Sequence, residues 1–257
     1  MATATDALSI SFDNGFGSLG NAWNVDKSVP GQVTFAGTSA LMEWATGPSA
    51  GHGYGTYTIE AKATGTQPGP GIIFWPGDNQ WPGQELDLLE VTPDGSGRQY
   101  ATVHWNANGT NGYSTQLLNG VSNGDFHQYQ MIWEAGKITI KVDGQQAASF
   151  TDHVPVDYAH GGMNDTIGFM NNNNNTSLTV RQVDFTPLGG GVVAATAGNV
   201  ATAATANVIT AAVDKATTSG TQYDALGEPL KADGTVDWDA LAATVTANHA
   251  ATGHWFW

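Results

Sequence analysis

Glu85-Leu86-Asp87-Leu88-Leu89-Glu90 sets three carboxylates into a stretch that otherwise reads as a buried strand. The chain holds only 6 Glu among 257 residues, and two of them stand here. Carboxylates on an apolar strand are costly unless paired or used in chemistry. In an extended strand the side chains at i and i+2 share a face, so Glu85 and Asp87 point the same way. Glu90, five residues on from Glu85, should point the other way. A β-bulge near Leu88-Leu89 would return it to the same face, because one extra residue switches the side of everything after it. Leu86 and one of the two leucines would then anchor the strand in the core.

Two acids on one rigid element are suited to cleaving a glycosidic bond. A retaining glycosidase needs its two carboxyl groups about 5–5.5 Å apart, one as nucleophile and one as general acid and base. The Glu85 and Glu90 α-carbons would lie roughly 13 Å apart at about 3.3 Å per step. Two long side chains leaning inward would close most of that gap. Asp87 between them could bias which glutamate holds the proton, and the three should titrate as a coupled set. The alternative is that acids on an exposed edge strand only prevent aggregation.

The elements that must position these acids read as short strands separated by turns, from about residue 8 to 187. Tyr54 to Lys62 alternates apolar and polar residues, and Gly71 to Trp75 is a short apolar run. Tyr100 to Trp105 alternates again and meets a turn at Asn106-Ala107-Asn108-Gly109. His127–Trp133 and Lys137–Val142 flank a tight turn and form the clearest hairpin, and Asp143-Gly144 signals another turn. Ser177 to Phe185 reads as a last strand, and Asn171 to Asn175 as a loop. With 33 Gly, 9 Trp and 12% charged residues, the composition fits an all-β sandwich or barrel. Beyond Gly189-Gly190-Gly191 the chain turns Ala/Thr-rich. Val200, Ala204, Val208 and Ala212 repeat at helical spacing, and Asp237 could cap a second helix reaching Gly253. The expected domains are residues 1–188, a β-sandwich, and 189–257, a small helical appendage.

A net charge of −15 with 8 Lys+Arg argues against nucleic acid as a partner. The absence of Cys excludes disulfides and thiolate metal sites. No run of about 18 apolar residues is present to cross a membrane as a helix. No cleavable signal peptide is visible in Met1–Ser9.

The chain resembles glycoside hydrolase family 16, the laminarinase and lichenase group. The likeness runs through Phe74-Trp75-Pro76, then Trp81-Pro82-Gly83-Gln84 leading into Glu85–Glu90. It continues through Phe126-His127, Tyr129, Trp133-Glu134 and Val142-Asp143-Gly144, with weaker matches at Tyr54-Gly55 and Val103-His104. The five-residue spacing of the glutamates resembles the bulged branch of the family. The resemblance implies a jelly-roll sandwich of two curved antiparallel sheets with a cleft across the concave one. By position, Glu85 would be nucleophile, Glu90 acid and base, and Asp87 the helper. His104 would lie on the adjacent strand, or be an ordinary sheet histidine. Trp75 and Trp81 would supply sugar-stacking faces, with Trp75 also fitting a core position. Trp105 and Trp133 fit the core better. Asn171 would contact sugar or belong to a plain loop. Many relatives carry an acid and an arginine where Thr58 and Glu60 stand here, which points to an altered subsite.

The family often holds a structural calcium, for which Asp184 and Asp13 are the candidates; catalysis needs no cofactor. The implied activity is a retaining endo-β-glucanase on β-1,3- or mixed-linkage glucan. The expected protein is a monomer, extracellular and bacterial, with a β-glucan as partner and neither nucleic acid nor membrane. A lectin-like or matrix sandwich would not need all three acids. Hydrolysis of another polysaccharide, or transglycosylation, stays open. The tail could be an uncleaved export signal or a docked helical segment.

Overall fold

The computed structural model describes residues 7–189 and, beyond them, one short strand pair. The strands are β1 (Leu8–Ile10), β2 (Asn21–Trp23), β3 (Val33–Met42), β4 (Gly55–Thr64), β5 (Gly71–Pro76) and β6 (Glu85–Val91). They continue with β7 (Gln99–Ala107), β8 (Thr110–Leu117), β9 (His127–Glu134), β10 (Lys137–Val142), β11 (Gln145–Phe150) and β12 (Asp165–Pro187). All pairings are antiparallel, in an all-β jelly-roll architecture. Chain packing separates Met1–Gly190 from Gly191–Phe256. In the second unit Gln222-Tyr223 pairs with Pro229-Leu230 as β13 and β14. The helices expected around residues 200–212 and 237–253 lie outside the described residues.

β12 organises the sandwich. Its first part, Asp165–Met170, pairs with β5; its second part, Ser177–Pro187, pairs with β4. β3 runs beside it through both parts. One layer is therefore β2-β3-β12-β5-β6-β7-β8, and the other continues from β12 through β4, β9, β10 and β11. The layers also meet at their far edges. The Gln116 amide of β8 donates to Ser149 O of β11 at 2.5 Å, and its carbonyl accepts from Ser149 N at 3.1 Å.

Alternation fills the space between the layers. On β4, Tyr57, Ile59, Ala61 and Ala63 point inward, while Thr58, Glu60 and Lys62 point out. Trp133, Tyr129, Phe35, Phe74, Phe169 and Phe185 complete an aromatic core. Trp133 is fully buried, and its indole N–H donates to Pro155 O. Trp105 does not join this core: it is half-buried and stacks on His153 with ring centroids 3.7 Å apart. The two-residue turns Asn108-Gly109 and Asp143-Gly144 have positive φ at both positions, the hairpin turn that matches strand twist.

The asparagine run corrects the sequence expectation of a loop, because it lies inside β12 where the strand passes from one layer to the other. Asn171 explains how a strand can do this. It is fully buried on the same side as Ile167 and Phe169, and its amide donates to Gly37 O, Asn173 O and Thr176 O. Its carbonyl accepts from the Thr176 hydroxyl at 2.6 Å. These bonds satisfy backbone groups freed where the register breaks between Asn173 and Ser177. Asn171 is therefore a structural residue facing away from the acid strand, not a sugar contact. Replacing it with Ala leaves buried carbonyls unpaired. Urea unfolding of Asn171→Ala should show a loss of about 1–3 kcal/mol, with normal activity per folded molecule.

Candidate active site

Strand β6 has one face in the core and one face turned outward. Leu86 and Leu88 are buried in the core, as alternation requires. Leu89 is buried there too, so both leucines of the pair anchor the strand rather than one. The pairing shows how. Against β7, Asp87 lies opposite Thr102 and Glu90 opposite Tyr100, three residues on β6 for two on β7. Against β5, Leu89 lies opposite Ile72 and Asp87 opposite Ile73. The extra residue at Leu88-Leu89 is a bulge, and it puts Glu90 on the face of Glu85 and Asp87.

Neighbouring strands complete the site. Glu85 and Asp87 are buried, and His104 stands opposite Glu85 on β7. His104 Nε2 lies 3.0 Å from Asp87 Oδ2, and Nδ1 lies 3.1 Å from Asn111 Oδ1 on β8, so the ring is held from both sides. The Thr102 hydroxyl donates to Glu90 Oε2 at 3.1 Å, and the Tyr100 hydroxyl also bonds Glu90. Tyr100, Thr102 and Asn111 are absent from the sequence-derived site. Tyr100 and Thr102 were signalled by alternation, since they precede His104 at four and two residues. Asn111 needed the hairpin register.

The aromatic residues divide by layer. Trp75 sits on the acid-bearing face but is 1% exposed. Trp81 stacks on it at 5.5 Å, and the Trp75 indole N–H donates to Asn79 Oδ1 at 2.7 Å. Trp75 is thus a support for Trp81 rather than an open stacking face. Trp81 remains partly exposed and approaches His104 edge-on at 5.6 Å. Thr58 and Glu60 lie on the outer face of the opposite layer, where Glu60 faces Arg181 at 3.6 Å. They are not part of the acid cleft, which removes the altered subsite expected there.

The electrostatics follow from burial. Glu85 is pushed well above the usual carboxylate range by loss of solvent, then by the charges of Asp87, Glu90 and Asp165. Glu90 is pushed up to about 8 by burial and by Asp87, against the bonds from Thr102 and Tyr100. The cluster cannot hold three full negative charges at neutral pH. Both glutamates are raised and titrate together with Asp87, so the cluster carries the proton that a two-carboxyl reaction needs for its acid. Before β6, the Gln84 amide donates to Asp165 Oδ1 at 2.6 Å and to Met163 O at 2.8 Å. That link ties the entry of the acid strand to the start of β12.

Residues 37–185 match the family model for Glycosyl hydrolases family 16. The chain belongs to this family. It is accordingly a glycoside hydrolase. Similar solved structures include a native glycosidic hydrolase, 18% identical with a TM-score of 0.52, covering 73% of this chain and 99% of that one. A Bacillus licheniformis β-glucanase is 16% identical with a TM-score of 0.51, covering 72% of this chain and 100% of that one. A prokaryotic β-1,3-1,4-glucanase (lichenase) derived from a mouse hindgut metagenome is also 16% identical with a TM-score of 0.51, covering 71% and 99%. At these identities the structures share the fold. No curated protein shows significant similarity.

The two calcium candidates, Asp13 and Asp184, each take a hydrogen bond from a neighbouring side chain. Asp13 is exposed and accepts from Ser11, and Asp184 accepts from Gln182. Among the described residues, neither joins a group of three His, Cys, Asp or Glu side chains, so backbone carbonyls or water would have to supply most oxygens of a calcium held there.

The raised glutamates set a pH dependence of stability. A carboxyl whose folded value is raised contributes stability that is full below its unfolded value and lost as pH rises through the folded one. For Glu90 that window runs from 4.5 to about 8. Urea unfolding should show stability falling across it, and Glu90→Gln should flatten the fall.

Proposed function

We propose that this protein is a retaining endo-β-glucanase of the bulged branch, cleaving β-1,3- or mixed β-1,3-1,4-glucan through a covalent glycosyl-enzyme. The observation that carries the reading is the outward carboxylate face of β6. Glu85, Asp87 and Glu90 share one side, the first two buried and Glu90 partly exposed, with a proton held into the neutral range. The similar folds of a β-glucanase and a lichenase make β-glucan the substrate class to test first.

In this mechanism Glu90 is the general acid. Its value near 8 keeps it protonated at neutral pH, so it can protonate the departing glycosidic oxygen. Glu85 attacks the anomeric carbon in its ionised form, and the leaving sugar departs with the proton from Glu90. Glu90, now ionised, takes a proton from water as that water cleaves the glycosyl ester and frees Glu85. Asp87, bonded to His104, stands between them and raises both through its charge. It discourages ionisation of Glu90 until the glycosidic oxygen takes the proton.

Laminarin and mixed-linkage glucan should release reducing sugar, and Glu85→Gln should abolish it. Binding of glucan without release by the wild type would instead make this a carbohydrate-binding sandwich. Glu90→Gln should slow cleavage of the polymer by roughly 10²–10⁴-fold. On an aryl glycoside with a good leaving group, azide should restore turnover of that variant and give a product of retained configuration.

A further inference from the structure

We infer that Trp44 and Tyr113 are the two outer sugar platforms of the cleft, and that the glucan lies across the strands between them. This rests on the carbohydrate-cleaving reading above. The register places six residues in one transverse row. Met42 pairs with Gly168, and Glu43 N bonds Ile167 O, so Trp44 falls opposite Thr166. Thr166 pairs with Trp75, and the Phe74–Leu86 pair sets Trp75 beside Glu85. Glu85 pairs with His104, and His104 with Tyr113.

The ends of this row differ from its middle. Trp75, Glu85 and His104 are buried, whereas Trp44 is 43% and Tyr113 63% exposed. Single exposed aromatics are ordinary. Two that close the ends of the row containing Glu85 have a specific placement. Each also has a seat. The Trp44 indole lies against Gly20, where a Cβ would fall 2.9 Å from its nitrogen. The Tyr113 ring lies 5.9 Å from the His104 ring.

Spacing gives the length of the site. Neighbouring strands are about 4.8 Å apart, close to the length of one pyranose unit in an extended glucan. Trp44 is three strands from β6 and Tyr113 two. The row therefore holds about three sugars on one side of the acids and about two on the other. An aromatic face buries the C–H groups of a sugar ring, so each platform adds affinity only for chains long enough to reach it.

Calorimetry on Glu85→Gln protein tests this, using β-1,3-linked and mixed-linkage hexasaccharides and the matching disaccharides. Adding Trp44→Ala or Tyr113→Ala should each weaken hexasaccharide binding about tenfold. Together they should weaken it about a hundredfold, since the sites are far apart. Disaccharide affinity should stay within about twofold, and Trp44→Phe and Tyr113→Phe should recover most of the loss. Unchanged hexasaccharide affinity, or equal losses for both lengths, would overturn the inference while leaving the enzyme reading in place. No binding of either hexasaccharide by Glu85→Gln protein would overturn both.

Discussion

A β-strand alternates its faces, and β6 has to interrupt that rule once to work. Its inward side needs leucines to hold the strand in the sandwich, while its outward side needs three carboxylates. The bulge at Leu88-Leu89 satisfies both demands by letting two consecutive leucines face the core. Remove it and Glu90 would turn into an apolar layer where an ionised carboxylate is very costly. The position of the proton, the bonds to Thr102 and Tyr100, and the coupling through Asp87 all follow from that single extra residue.

The rest of the fold holds this strand still. β12 serves both layers, and Asn171 supplies the hydrogen bonds that let it change partners. Gln84 fastens the approach to β6 onto the start of β12 through Asp165 and Met163. His104 is braced by Asp87 and Asn111, and Trp81 rests on a buried Trp75. A site set on paired strands and braced by the side chains around it keeps its geometry better than one on loops. Burial then tunes the acids, since the wall that holds them rigid also removes the water that would stabilise their charges.

Much of this was legible in residue types and spacing. The acid motif, the strands at β4, β5 and β7, the β9–β10 hairpin and the sandwich class follow from alternation and turn chemistry, which are local. Trp133 read as core and is core. The misreadings share one physical cause. Asn171, Trp75 and the Thr58/Glu60 pair were assigned by type or by family position, and Trp105 by alternation with His104, but their roles depend on which strand lies beside them. A run of asparagines looks like a loop until its amides are counted against the backbone groups they satisfy.

The sequence by itself determined that three acids would lie on a strand and that a bulge was needed for them to act together, because side-chain alternation has a period of two. It also carried enough landmarks to name the family. Only the tertiary structure decided which neighbours tune the acids, and which aromatics stand open along the row through Glu85. Those facts depend on cross-strand register, set by partners far apart in the chain: Thr166 against Trp75, Glu85 against His104, His104 against Tyr113. Local patterning shows which way a side chain points, and packing decides what it meets there.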